Sequence, residues 1–220
     1  MILGIDTTTD WSSVALEDKS IVWRGNQNQS MELLVKIEQL MKELNVCFED
    51  IKGVVVINGP GSYTGIRIGV SVANTIGMLM NIPVKGVDGL EAQVVAGKFQ
   101  GENKKIVSLI SAGGGRVYGR KIEIARGGSS VLNCEKSDEY FVGEVRDFLR
   151  DTDKDNFIVG EINEDVKNWI KSSGYRHLVV MDERNKIGRA GGAVELFQKL
   201  PSLLNNNVIP LYLREAVRKK

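Results

Sequence analysis

Two short segments contain residues that could handle a phosphate group or a metal ion. One is a carboxylate followed by a hydroxyl, directly after the apolar N-terminal run, and such a carboxylate could organise Mg²⁺. The other is a glycine-rich loop between a β-branched run and a helical pattern, a place where backbone amides can hold phosphate oxygens. Together they give five candidate cofactor-binding residues, Asp6, Thr7, Gly59, Gly61 and Thr64.

The glycine-rich loop also has a structural explanation. A P-loop needs a lysine after its last glycine, where this chain has Ile66, and the glycine spacing differs from the dinucleotide fingerprint. The glycines around Pro60 can instead turn the chain sharply, so that the following helix packs on the sheet. The spacing favours this structural turn over nucleotide binding, and no cofactor is predicted.

Composition excludes several other kinds of chemistry. His177 is the only histidine among 220 residues, so it predicts neither a zinc site nor a Ser-His or Cys-His nucleophile. The 29 Lys and Arg residues nearly balance the 28 Asp and Glu residues, which gives no global basic field for nucleic acid. No apolar run approaches the roughly 20 residues of a membrane span. Cys47 and Cys134 lack C-x-x-C spacing and fit a reducing cytoplasm.

The helix after the loop carries small residues at a stride of four. Three glycines inside a helix cost about 1 kcal/mol each relative to alanine, so another element must approach this ridge closely. That element is either the chain's own sheet or first helix, or a helix of a partner, and spacing alone does not decide between them. The small ridge comprises Gly65, Gly69, Ala73 and Gly77.

The order of apolar and helical patterns predicts an α/β fold with two similar lobes. Three short strands, a helix, a strand and a helix in the first half give the order βββαβα, and the second half repeats it. The polar segment from Lys98 to Lys105 marks the boundary. We therefore expect an N-terminal lobe at 1–100 and a C-terminal lobe at 101–220, the latter with a helix from Asp138 to Leu149.

Three segments make a specific resemblance possible. Ile5–Thr9, the block Gly59–Gly69 and the late Pro210–Ala216 together resemble the bacterial TsaB family, also called YeaZ, in order and spacing along the whole chain. The resemblance implies the two-lobed fold shared by actin, Hsp70 and sugar kinases. The chain departs from the family pattern at Ser111–Tyr118, where three glycines and Arg116 replace a charged hairpin.

The resemblance also implies a function. It predicts a non-catalytic subunit that pairs with the metal-dependent paralogue TsaD for threonylcarbamoyl transfer to the adenosine beside the anticodon of ANN-decoding tRNAs. A TsaE-like ATPase would join the pair, tRNA would be contacted indirectly through the complex, and the chain alone could form a homodimer. The helices bounding the glycine block would provide the partner interface, with Leu33, Ile37, Gly65, Gly69, Val72, Ala73, Ile76 and Gly77. The alternative is an ATP-dependent phosphotransferase of the same fold.

Overall fold

The chain forms two compact units in a computed structural model. The model describes residues 1–25, 29–97, 104–124, 132–133, 140–180, 188–199 and 208–213. One unit comprises Met1–Ala96 with Ile187–Tyr212, and the other comprises Gly97–Lys186 with Leu213–Lys220. The predicted C-terminal lobe at 101–220 therefore differs from the second unit at Ile187–Tyr212, which belongs to the first unit. Cys134, most of the predicted boundary segment and Arg214–Ala216 lie outside the described residues.

The strands build one sheet in each unit. The strands are β1 (Ile2–Asp6), β2 (Trp11–Leu16), β3 (Lys19–Arg24), β4 (Gly53–Gly59), β5 (Val84–Asp88), β6 (Lys104–Ser111), β7 (Arg116–Ile124), β8 (Leu132–Asn133), β9 (Phe141–Glu144), β10 (Phe157–Glu161) and β11 (His177–Val180). The first sheet has the order β3-β2-β1-β4-β5, in which β1 pairs antiparallel with β2 and parallel with β4. The second has the order β11-β10-β6-β7-β8, with β9 also paired to β7.

Six α-helices are seen in the described part of the chain. They are α1 (Gln29–Leu44), α2 (Tyr63–Met80), α3 (Gly89–Ala96), α4 (Val145–Leu149), α5 (Glu164–Ser172) and α6 (Arg189–Lys199). Ser62 caps α2, because its hydroxyl accepts from the backbone N–H of Gly65. Asn163 caps α5 in the same way. The predicted α/β class and the repeated strand and helix order are confirmed.

Helices cover both faces of the first sheet. On one face, α1 and α2 bury apolar side chains against alternate residues of β1 and β4, including Leu3, Ile5, Val54 and Val56. On the other face, α6 lies so close to β1 that a Cβ on Gly4 would sit 2.8 Å from a methyl of Val194. This packing explains why α6 belongs to the first unit.

The second unit has its own core. Side chains of α4 and α5 pack on β6, β7 and β10 in a cluster that includes Val107, Leu149, Ile158 and Ile170. The helix predicted from Asp138 to Leu149 is wrong at its start, since 141–144 pair antiparallel with β7 and only five residues remain helical. None of the helices in the described part of the chain is both long enough and apolar enough to cross a bilayer.

Candidate functional site at the glycine loop

The glycine-rich loop is packed between two other segments of the first unit. The N–H of Ser62 donates to the backbone oxygen of Thr8 at 2.6 Å. Gly59 has φ +135°, and a Cβ there would overlap the carbonyl oxygen of Leu211. The N–H of Leu211 donates to the backbone oxygen of Asn58 at 2.7 Å. These contacts fill both sides of the loop with protein backbone and favour the structural explanation of its glycines.

Asp6 is completely buried at the end of β1, and both of its carboxylate oxygens are engaged. Oδ1 accepts the backbone N–H of Thr8 at 2.9 Å and the Thr8 hydroxyl at 2.7 Å. Oδ2 accepts the Nε–H of Arg189 at 2.6 Å, and a terminal nitrogen of Arg189 also donates to the hydroxyl of Thr9. Arg189 is itself 1% exposed, so the ion pair is closed to solvent.

This arrangement does not fit the predicted role of Asp6 in organising Mg²⁺. The carboxylate would have to give up hydrogen bonds to Thr8 and Arg189 before it could coordinate a cation. Within the described ranges, no three His, Cys, Asp or Glu side chains come together as a possible metal site. Asp6 is thus a structural residue in this conformation, and Arg189 takes the position next to it that a cation would need.

Thr7 and the small ridge of α2 face each other inside the first unit. The hydroxyl of Thr7 donates to the backbone oxygen of Gly65 at 2.6 Å. A Cβ on Gly69 would lie 2.7 Å from Oγ1 of Thr7, and a Cβ on Gly77 would overlap Val84. The ridge therefore lets α2 approach β1 and the start of β5 closely.

This packing buries most of the residues of the predicted partner interface inside the chain itself. Gly65, Gly69, Ala73 and Gly77 are buried against the chain's own sheet, so they are not available to a partner. Of the other predicted interface residues, Leu33, Ile37 and Ile76 belong to the same core, and only Val72 is partly exposed. The interface implied by the family resemblance therefore stays a prediction, and periodicity alone identifies an apolar face without identifying what covers it.

Other apolar residues of the same two helices point to solvent. We call them the exposed apolar set: Met31, Leu34 and Val35 on α1, and Met78 and Leu79 on α2, which are 55–76% exposed. Single exposed apolar residues are normal, but several on each of two helices that pack on the same sheet face provide apolar area for an interaction.

Thr64 and Arg67 lie on the outer side of the first turns of α2. Thr64 is exposed, and Arg67 is held by two tyrosines. Its Cζ lies 4.1 Å from the ring centroid of Tyr63, and its Nε–H donates to the hydroxyl of Tyr212 at 3.1 Å. The hydrogen bond to Tyr212 is the main reason that the pKa of Arg67 is raised above its ordinary value. Sequence reasoning missed this cluster, since Arg67 and Tyr212 are 145 residues apart.

Comparison with known proteins gives one family match and several relatives. Residues 25–181 match the family model described as TsaD, tRNA N6-adenosine threonylcarbamoyltransferase. The chain is 26% identical over 166 residues to "tRNA threonylcarbamoyladenosine biosynthesis protein TsaB" of Buchnera aphidicola, covering 73% of this chain and 78% of the relative. It is 34% identical over 123 residues to the TsaB protein of Bacillus subtilis, covering 53% of this chain and 52% of the relative.

A solved structure shows the same fold. YeaZ from Pseudomonas aeruginosa superposes with a TM-score of 0.72 over 96% of this chain and 99% of that chain, at 20% identity. The predicted two-lobed fold of the actin, Hsp70 and sugar-kinase type is confirmed by this likeness together with the two sheets.

Proposed function

This chain belongs to the TsaD family and to its TsaB (YeaZ) group, and from that premise we propose that it is a non-catalytic scaffold subunit of a threonylcarbamoyl transferase assembly. The names of its relatives support involvement in the threonylcarbamoyladenosine modification of tRNA. The scaffold pairs with a TsaD-like paralogue, which carries out the transfer to the adenosine beside the anticodon. A TsaE-like ATPase joins this pair. The two cysteines of the present chain suit a reducing cytoplasm.

The observation that carries this proposal is the exposed apolar set on α1 and α2. Side chains such as Leu34 and Leu79, at 55% and 73% exposure, would lose water on docking to a partner helix. Because the opposite sides of both helices are anchored in the core of the first unit, the set is presented on a fixed framework. The same helices that the family resemblance implicates are used, but through different residues.

The surroundings of Asp6 support a role without phosphoryl transfer. A phosphotransferase of this fold needs an accessible carboxylate near its nucleotide phosphates, whereas Asp6 is paired with Arg189 and closed to solvent. In the glycine loop, the backbone N–H of Ser62 is already bonded to Thr8, and Gly59 lies against the backbone of Leu211, so these positions serve packing within the chain. Among the residues that the structure describes, no specific observation favours the phosphotransferase alternative.

The test is size-exclusion chromatography with light scattering on the chain alone and mixed with the TsaD-like protein of the same genome. We expect a stable heteromeric complex and transferase activity only in its presence. The chain alone also reports whether the exposed apolar set supports a homodimer. Separate elution at micromolar concentration, with a TsaE-like ATPase and nucleotide present, would overturn the scaffold proposal.

A further inference from the structure

The proposed function does not use the cluster of two tyrosines and an arginine beside the glycine loop. The rings of Tyr63 and Tyr212 stack with their centroids 4.7 Å apart and their planes inclined by 27°. Arg67 lies over the ring of Tyr63 and bonds to the hydroxyl of Tyr212. Both rings remain exposed, at 38% and 39%, although large aromatic side chains are usually covered further. The tyrosines therefore keep apolar ring surface available to a ligand.

Arg67 also keeps hydrogen-bonding capacity. Its Nε–H is used by Tyr212, and the two terminal amino groups have no recorded acceptor among the residues that the structure describes. In the same part of the chain no carboxylate forms an ion pair with Arg67. A guanidinium that is already held by an aromatic ring and a hydroxyl loses little rotamer freedom when it binds an anion. The terminal amino groups suit the paired oxygens of a phosphate.

We propose that this cluster binds an unpaired nucleotide of an RNA chain, with the base stacked on an exposed tyrosine ring and a backbone phosphate bound by Arg67. Proteins recognise single-stranded RNA through bases stacked on aromatic rings and on arginine planes, together with contacts to phosphate. An acidic peptide would use the charge of Arg67 but would gain little from the partly exposed tyrosine side chains. The choice of RNA rests on the proposed function in tRNA modification, and the chain then touches RNA directly rather than only through its partner.

The test uses fluorescence anisotropy with the full chain and a fluorescein-labelled single-stranded RNA of about eight nucleotides, within the range of known single-strand sites. We expect Arg67→Ala to weaken binding about tenfold, which corresponds to about 1.4 kcal/mol. The slope of log K against log salt should also become flatter by about 0.7, the value for one lost phosphate contact on a single strand. Arg176→Ala removes a positive charge from an exposed arginine outside the cluster and should leave binding unchanged.

Further variants separate stacking from charge. Arg67→Lys keeps the charge but loses the planar group, so we expect it to bind RNA more weakly than the native chain. Tyr63→Leu should weaken binding to the normal oligonucleotide and have little effect on an abasic oligonucleotide of equal charge. Thermal unfolding of each variant shows whether the fold is kept, and Tyr212→Leu, which removes the other ring of the stacked pair, serves where Tyr63→Leu does not fold.

Three results would overturn the proposal. They are equal affinity of the native chain for normal and abasic oligonucleotides, competition by a glutamate-rich peptide as strong as that by unlabelled RNA, and no change on replacing Arg67. Strong competition by the peptide would identify the cluster as a site for an acidic protein segment instead. Because the RNA assay uses the chain without a partner, its failure is independent of the complex-formation assay that tests the proposed function.

Discussion

Nε of Arg189 lies 2.6 Å from Oδ2 of Asp6, and the two side chains are 1% and 0% exposed. Arg189 begins α6 and Asp6 ends β1, so this buried ion pair fixes a late helix to the first strand. Arg189 thus engages the carboxylate that would bind Mg²⁺ in the phosphotransferase alternative. We therefore expect the ion pair to affect both the free energy of unfolding and the ability of Asp6 to bind a cation.

Replacing Arg189 with methionine should destabilise the chain strongly. The variant leaves the carboxylate of Asp6 buried without its charged partner, and breaking a buried pair in this way costs about 3–5 kcal/mol. The free energy of unfolding in urea measures the loss. Arg176→Met is the matched control, since its ion pair with Asp155 is exposed and should contribute less than about 1 kcal/mol. Equal losses in the two variants would contradict this interpretation of the buried pair.

Calorimetric titration of the chain with Mg·ATP should give no binding heat in the micromolar range. Both oxygens of Asp6 already accept hydrogen bonds, and the glycine loop is covered by the backbone of Thr8. Saturable heat that is absent from a folded Asp6→Asn variant would restore the phosphotransferase alternative. Circular dichroism of that variant establishes whether it is folded.

Gly65→Ala should destabilise the isolated chain by about 1–3 kcal/mol, the usual cost of overpacking a core. The added Cβ would overlap the backbone oxygen of Thr7, which cannot move aside as a flexible side chain could. Gly191 in α6 provides the control, because a Cβ there meets nothing within 4 Å. Gly191→Ala should raise the unfolding free energy by about 0.5–1 kcal/mol. If Gly65→Ala kept the native unfolding free energy but no longer bound the TsaD-like chain, the small ridge would be assigned to the partner interface instead.

Charged substitutions in the exposed apolar set should weaken the complex with the TsaD-like chain and leave the fold intact. We expect Leu34→Glu and Leu79→Glu each to weaken association at least tenfold, since a buried charge at an interface costs more than the lost apolar contact. Both positions are more than half exposed in the chain alone, so the unfolding midpoint should shift little. Arg150→Glu, at an exposed position of the second unit outside the exposed apolar set, is the control. Unchanged association of both variants would exclude this surface as the interface.

Cys47 should react slowly with alkylating reagents. Hydrogen bonding to the carboxylate of Asp50, at 3.1 Å from the thiol, is the main reason that the pKa of Cys47 is raised. The reactive thiolate consequently forms at higher pH than in an ordinary cysteine. With Cys134 replaced by serine, the iodoacetamide reaction rate against pH should have a midpoint above that of a free thiol. Asp50→Asn should move the midpoint down, and an unchanged midpoint would show that Asp50 has no such effect.

The sequence by itself determined the α/β class and the repeated strand and helix order. These features follow from hydrophobic periodicity and local hydrogen bonding, which act over a few residues. The resemblance to the TsaB family, based on three short segments, also stands, because such segments keep their order and spacing whatever packs around them. The early part of the glycine block was correctly assigned to a turn that brings a helix onto the sheet.

Only the tertiary structure decided which surfaces are inside the chain and which distant residues meet. The helical spacing identified the ridge of Gly69 but not that Thr7 covers it, because the spacing is the same for an internal and an external neighbour. Arg189 and Asp6, and likewise Arg67 and Tyr212, are brought together across more than a hundred residues by sheet order and helix packing. Such contacts leave no local pattern in the chain, since their partners are selected by the fold as a whole.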